Sequence, residues 1–195
     1  MIFRKATPND IDAVAKIYEK IHAAEAAGEF TTGWIRGVYP VRDTAVSAVE
    51  RGDLFVLDDW DTTERSAEIK DGDISEGAEA KKMEIRGAAV INQIQVDVYE
   101  NAPWKHEAAD DEVCVIHCLV IDPDLKGKGY GREFVRFYER YAKENGMPEL
   151  RIDTNEINLA ARGLYGSLGY EEVSIVPTVF NGIPGINLVM LEKHL

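Results

Sequence analysis

Three glycines and three cations fall within seven consecutive residues, Lys126-Gly127-Lys128-Gly129-Tyr130-Gly131-Arg132, on a chain of 195 residues with a formal net charge of −13. Glycine allows positive φ and close approach of the backbone to a ligand. Free N–H groups at a helix start, beside Lys and Arg, suit an anion, most naturally a phosphate or pyrophosphate. The preceding run, Val113 to Ile121, is apolar apart from His117, as in a strand buried on both faces. Asp122-Pro123-Asp124 stops it, because proline cannot donate to a ladder. Afterwards Phe134, Phe137, Tyr138 and Tyr141 share one helical face. The expected order is strand, glycine turn, helix. A dinucleotide site needs G-x-G-x-x-G and a P-loop needs G-x-x-x-x-G-K-[ST]; neither spacing occurs. The plain alternative is a strand-to-helix turn in which the glycines are caps.

The rest of the chain must position that turn. Ile2 to Lys5 reads as a first strand. Thr7, Pro8 and Asp10 supply N-cap, N1 and N3 of a helix in which Ile11, Val14, Tyr18 and Ile21 recur at helical spacing. The pattern loosens from His22, so a loop is expected from Ala23 to Pro40. A second helix is expected from Asp43 to Arg51 with Gly52 near its C-cap, and Leu54 to Leu57 is a strand. Asp58 to Lys82 is strongly acidic and reads as a solvated excursion of a hairpin, with room for a short helix near 74–82. Gly87 to Ile94 returns as a strand, and Gln95 to Glu112 is an irregular acidic connection. After the second half's first helix come strands at Leu150 to Asp153, Glu172 to Val176 and Ile186 to Glu192, the last two joined by a loop from Thr178 to Gly185.

Residues 121–131 resemble motif A of the GNAT N-acetyltransferase superfamily, [QR]-x-x-G-x-[GA] after a strand ending V-x-P. Here Ile121-Asp122-Pro123 precedes the turn, and Lys126 stands where the family usually has Gln or Arg. Downstream, Asn158, Ala161, Leu164, Tyr165, Gly169 and Tyr170 resemble motif B, N-x-x-A-x-x-L-Y-x-x-x-G-[FY]. The resemblance covers about residues 113–172. It implies an α/β fold: one N-acetyltransferase domain over 1–195, with a mixed sheet flanked by helices. A splay is expected between the motif A strand and the strand after it. It also implies acetyl-CoA as co-substrate. Leu119, Val120 and Ile121 would pair with the pantetheine arm, and the turn from Lys126 through Gly127, Lys128, Gly129, Tyr130 and Gly131 to Arg132 would hold the pyrophosphate.

The implied reaction is direct attack of an amine on a thioester. It needs a base, an oxyanion donor and an acid for the departing thiolate. His117, where family members often carry Glu, is the candidate base; a core histidine satisfied by a carbonyl is the alternative. Glu112 is the reserve. Tyr165, two helical turns after Asn158, is the candidate acid; its alternative is a core aromatic. Asn158 would serve the pantetheine amide or simply cap the helix. In the first loop Glu25 and Glu29 beside Trp34 and Tyr39 could hold a cationic or amine-bearing acceptor, unless the aromatics cover the core and the acids are solvated.

Composition sets further expectations. Charged residues make up 29% and hydrophobic residues 45%, as in a soluble globular protein. The acidic balance argues against nucleic acid as partner. No stretch is long enough for a membrane span and no signal-peptide pattern opens the chain, so a cytoplasmic protein is expected. A homodimer is compatible with the sequence. The acceptor would be a small-molecule or peptide amine, and a non-catalytic acyl-CoA-binding or sensor module is the alternative. Cys114 and Cys118, four apart in one strand, should share a face without a disulfide. No metal is expected, because His/Cys ligand spacing is absent, and His22, His106 and His194 should be partnerless surface residues.

Overall fold

The computed structural model describes residues 1–60 and 83–195. The expected short helix near 74–82, and the acidic excursion from residue 61 on, lie outside the described residues. Seven strands form one mixed sheet: β1 (Ile2–Lys5), β2 (Leu54–Trp60), β3 (Met83–Asn92), β4 (Val113–Ile121), β5 (Glu149–Asn155), β6 (Glu171–Phe180) and β7 (Ile183–His194). Their order across the sheet is β1-β2-β3-β4-β5-β7-β6. Helices α1 (Ile11–Ala26) and α2 (Arg42–Arg51) pack on one face, with Val14, Ile17 and Ala48 against Val56, Ala88 and Val120. Helix α3 (Tyr130–Glu144) covers the other, with Phe134 and Tyr138 against Leu57, Ile91 and Cys114. Helix α4 (Leu159–Ser167) lies beside α3.

Local chemistry explains most boundaries. The Asp10 carboxylate accepts from the Thr7 N–H at 2.7 Å and the Thr7 hydroxyl at 2.8 Å, closing the turn ahead of α1. Gly52 ends α2 in the left-handed conformation that costs glycine nothing. Two boundaries differ from the expectation. Helix α1 runs to Ala26 because His22-Ala-Ala-Glu-Ala-Ala27 is rich in strong helix formers although its apolar period has faded. The expected loop from Thr178 to Gly185 is mostly strand: β6 and β7 form one hairpin closed by Asn181-Gly182, both with positive φ, the pair that a type I′ turn favours.

Strand β4 carries the feature that shapes the site. Its parallel ladder with β5 runs only from Val113↔Glu149 to Ile116↔Ile152. Beyond that β5 stays with β7 while β4 follows β3, so the two strands diverge as expected for the splay. Ala88 pairs with Val120 but Val90 with His117, which leaves one extra residue in β4, a bulge at Cys118 with φ 50°. The bulge reverses the alternation. Cys114 and Ile116 face the α3 side, whereas Cys118 and Val120 face α1. The two cysteines therefore lie on opposite faces, contrary to the period-2 expectation, and both are free.

Candidate active site

The splay opens a cavity of about 680 Å³ walled by β4, β5, the loop after α1, the turn before α3, α4 and the tip of the β6–β7 hairpin. Along its β4 wall, Leu119, Val120 and Ile121 lie where the edge toward β5 has lost its ladder. Such an edge offers unpaired N–H and C=O groups to an extended ligand.

One end of the cavity is the glycine turn. Lys126, Gly127, Gly129, Tyr130 and Gly131 all line it. Gly127 and Gly129 have φ of 79° and 85°, alternating with ordinary residues so that successive N–H groups turn toward one concavity. Among the described residues the N–H groups of Gly127, Gly129, Tyr130, Gly131 and Arg132 make no hydrogen bond. A Cβ at Gly127 or Gly129 would meet no protein atom within 4 Å, so the space before them is open. Such an arrangement, at the N-terminus of a 15-residue helix, is one that can accept a phosphate. The cations divide. Lys126 reaches back over the Phe30 ring at 4.8 Å and donates to the Glu29 carbonyl at 3.2 Å. Lys128 and Arg132, expected at the pyrophosphate, are not on the cavity wall: Lys128 is exposed, and Arg132 is directed by the helix toward α4, where it donates to Ser167 Oγ at 2.8 Å. Upstream, Lys20 of α1 grips both oxygens of Asp122 at 2.8 Å and fixes the end of β4 on which the turn depends.

The reactive groups gather at the splay. His117 lines the cavity, and its Nε2 lies 2.9 Å from the Ile94 carbonyl and 3.2 Å from Asn92 Oδ1. Both partners accept, so Nε2 carries the hydrogen and Nδ1 is the nitrogen left to act as base. Burial holds the imidazole pKa below its ordinary value, partly countered by the Ile94 carbonyl. The ring is therefore neutral at pH 7. Tyr165 is buried in the cavity wall, and its hydroxyl has no hydrogen-bond partner among the described residues. Burial first, and the nearby Asp153 charge second, raise its pKa and keep it protonated. Asn158 also lines the cavity, but its Oδ1 accepts from the Ala161 N–H at 3.2 Å, so the side chain caps α4. The Cys118 thiol in the same wall is pushed up to about 11 by burial and stays protonated.

Two acids are not where the sequence suggested. Glu112 lines no part of the cavity; it is exposed and accepts from the Ala109 N–H at 2.9 Å in the turn before β4. Glu25 is also absent from the wall. Its carboxylate accepts from the Thr32 N–H and hydroxyl at 2.8 and 2.9 Å and from the Gly33 N–H at 2.9 Å. Glu25 thus fastens the loop that carries Trp34. Glu29, Trp34 and Tyr39 do line the cavity, the two rings meeting edge to face at 5.9 Å.

Asp153 is the residue that sequence reasoning missed. It stands on β5, one residue past the last β4–β5 pair, and faces the cavity. The buried Tyr99 hydroxyl donates to its Oδ2 at 2.8 Å. Burial lifts the carboxyl to about 6, with the Tyr99 bond pulling the other way. The signal available was an Asp in the middle of a strand, a type depleted there. A raised folded-state pKa means that the folded chain binds the proton more tightly than the unfolded one. Its stability falls as pH rises from about 4 to 6, by up to about 3 kcal/mol for a two-unit difference. Asp153→Asn, which still accepts from Tyr99, is expected to raise Tm at pH 8 and to leave Tm at pH 4 nearly unchanged. Equal shifts at both pH values would show that the carboxylate is not held against desolvation.

Three histidines also have unexpected surroundings. His22 is buried and donates from Nε2 to the Pro40 carbonyl at 2.9 Å. His106 stacks on His194, and His194 Nδ1 hydrogen-bonds the Glu149 carboxylate.

Known proteins resemble this architecture. Residues 54–170, more than half of the chain, match the model of the Acetyltransferase (GNAT) family. A 54-residue stretch is 37% identical to the human protein N-acetyltransferase 8B, covering 28% of this chain and 24% of that one. The chain spans a quarter to a third of the length of the named relatives it matches. Among solved structures, a GNAT-family acetyltransferase of Streptococcus agalactiae superposes with a TM-score of 0.71 at 22% identity, over 100% of this chain and 95% of that one. A Salmonella typhimurium protein solved with its cofactor acetyl-CoA superposes with a TM-score of 0.61 at 16% identity, over 100% and 93%. At these identities the superpositions speak for the fold. The family match over that span, laid on the splayed sheet and its glycine turn, identifies the chain as a member of the GNAT acetyltransferase family.

Proposed function

We propose that the protein transfers the acetyl group of acetyl-CoA to a primary amine of a small molecule or peptide by direct attack. The observation that carries this reading is the meeting, in one cavity, of a free phosphate cradle, an unpaired strand edge, a neutral histidine and a protonated tyrosine. The residues present fit acetyl-CoA. The free backbone N–H groups of Gly127 and of Gly129 to Arg132 would hold its pyrophosphate, with Lys126 nearby, and the edge at Leu119–Ile121 would pair with its pantetheine amides. When bound, acetyl-CoA supplies the thioester carbonyl.

The chain's own groups do the rest. His117 Nδ1 accepts the proton of the amine as its nitrogen bonds to the carbonyl carbon. Tyr165 gives its proton to the sulfur as the carbon–sulfur bond breaks, and solvent restores both groups. Asp153, ionised above about pH 6, is placed to hold the incoming amine and to keep Tyr165 from ionising early. Glu29 and the Trp34–Tyr39 pair form the outer wall and suit a cationic or amine-bearing acceptor, the aromatic faces adding about 0.5–2 kcal/mol each.

A panel of cationic, neutral and acidic amines, assayed by thiol release from acetyl-CoA, tests the reading. Thiol release that depends on a cationic amine is expected; none with any amine would overturn it. With the best amine, kcat/KM should fall as pH drops through the lowered His117 pKa. His117→Ala should cut the rate and flatten that acidic limb. An unaltered limb would remove His117 from the base role.

A further inference from the structure

At the far end of the sheet from the cavity, three ligating side chains converge from three separate elements. Glu149 opens β5 and His194 ends β7, and the antiparallel register places them opposite each other. His106 reaches them from the connection between β3 and β4, its ring 5.2 Å from the His194 ring and inclined by 20°. One ligand atom from each residue lies within 4.8 Å of the others. None of the three lines the cavity.

Their backbones are fixed. The Lys105 N–H donates to the buried Glu192 carboxylate at 2.8 Å, and Arg151 reaches the His106 carbonyl at 3.4 Å while lying over the Trp104 ring at 4.3 Å. On the other side, the Leu195 N–H donates to the Pro148 carbonyl at 3.0 Å and holds the end of the chain beside Glu149. The side chains differ in freedom: both imidazoles are exposed, whereas Glu149 is only 6% exposed. Among the described residues His194 is the sole hydrogen-bond partner of the Glu149 carboxylate. A carboxylate taken that far from water requires compensation, and one imidazole supplies it at one oxygen.

We propose that His106, Glu149 and His194 form a binding site for a divalent transition-metal ion, zinc in the first place. Two imidazole nitrogens and one carboxylate oxygen form a donor set that zinc takes in tetrahedral geometry, with water in the fourth position. Bonds of about 2.0–2.2 Å place tetrahedral ligand atoms about 3.3–3.6 Å apart. The ligand atoms already lie within 4.8 Å of one another, and the two rings that would adjust to that spacing are exposed around a buried Glu149. The ion would tie the connection between β3 and β4 to the ends of β5 and β7. That same connection delivers Tyr99 to Asp153, so the site would brace the cavity from outside it.

The test is zinc titration of chelator-treated full-length protein by calorimetry, with Tm followed in parallel. One zinc per chain is expected, with Tm rising on binding. His106→Ala and His194→Ala, both at exposed positions, should each weaken zinc binding at least tenfold and abolish the Tm rise. Cobalt(II) should give the intense visible absorption of four-coordinate geometry in the unaltered protein alone. Acetyl-CoA binding, measured in the same samples, should not change in either variant, so this proposal and the acetyltransferase reading stand or fall separately. Absence of zinc binding by the unaltered protein, or undiminished binding in either histidine variant, would overturn the site.

Discussion

Tyr165→Phe is expected to lower kcat for acetyl transfer by roughly 10²–10⁴-fold, the range for a positioned acid or base. Acetyl-CoA affinity and Tm should stay where they are. The ring packs in the core on the α3 side, edge to face with Tyr170 at 5.9 Å, and phenylalanine keeps that packing. Only the hydroxyl goes, and that hydroxyl has no hydrogen-bond partner among the described residues, so no bond is broken by its loss. A structural tyrosine of this kind would leave kcat unchanged. The substitution therefore separates an acid from a core aromatic: a kcat within a few-fold of the unaltered enzyme would reject the acid role.

The second large effect is on binding. Gly129→Val should remove detectable acetyl-CoA binding from a protein that still folds. At φ 85° an L side chain is strained by about 1–2 kcal/mol, and its methyl groups would fill the open space before the cradle. Strain alone could be blamed, and Gly146 supplies the control. It has φ 74°, also has no atom within 4 Å of a would-be Cβ, and lies just past the opposite end of α3. Gly146→Val should cost similar stability and leave acetyl-CoA affinity intact. Equal affinities in the two variants would mean that the pyrophosphate does not sit against Gly129.

What could be read from the sequence was local. The strand, turn and helix around 113–144 follow from an unbroken apolar run, a proline stop, spaced glycines and an aromatic face, all within thirty residues or so. Asn158 and Tyr165 share a helix face, so their joint presence at the cavity needed only the helical repeat. What stayed hidden was set by partners far along the chain. Asp153 matters because β4 leaves β5 one residue earlier, and Tyr99 meets it from 54 residues away. Glu25 reads as an acceptor ligand until its carboxylate is seen closing the loop at Thr32 and Gly33. His106 and His194 show no ligand spacing because the β5–β7 pairing sets His194 opposite Glu149 and the connection before β4 brings His106 to its ring. Glycine spacing states that a cradle exists, but helix rotation decides that Arg132 points away from it.

The bulge at Cys118 has a consequence for how the chain tolerates changes of length. A one-residue deletion there would let the strand regain its even beat, because Leu119, Val120 and Ile121 would keep both their β3 register and their sides of the sheet while His117 stayed opposite Val90. The apolar side chains on both sides would keep their places, so the core could survive the deletion. The cavity wall would change, because Cys118 lines it and the local bend and twist that accompany a bulge would go with it. Insertions and deletions at this position are thus expected to uncouple stability from activity, yielding folded chains in which the β4 wall of the cavity is reshaped.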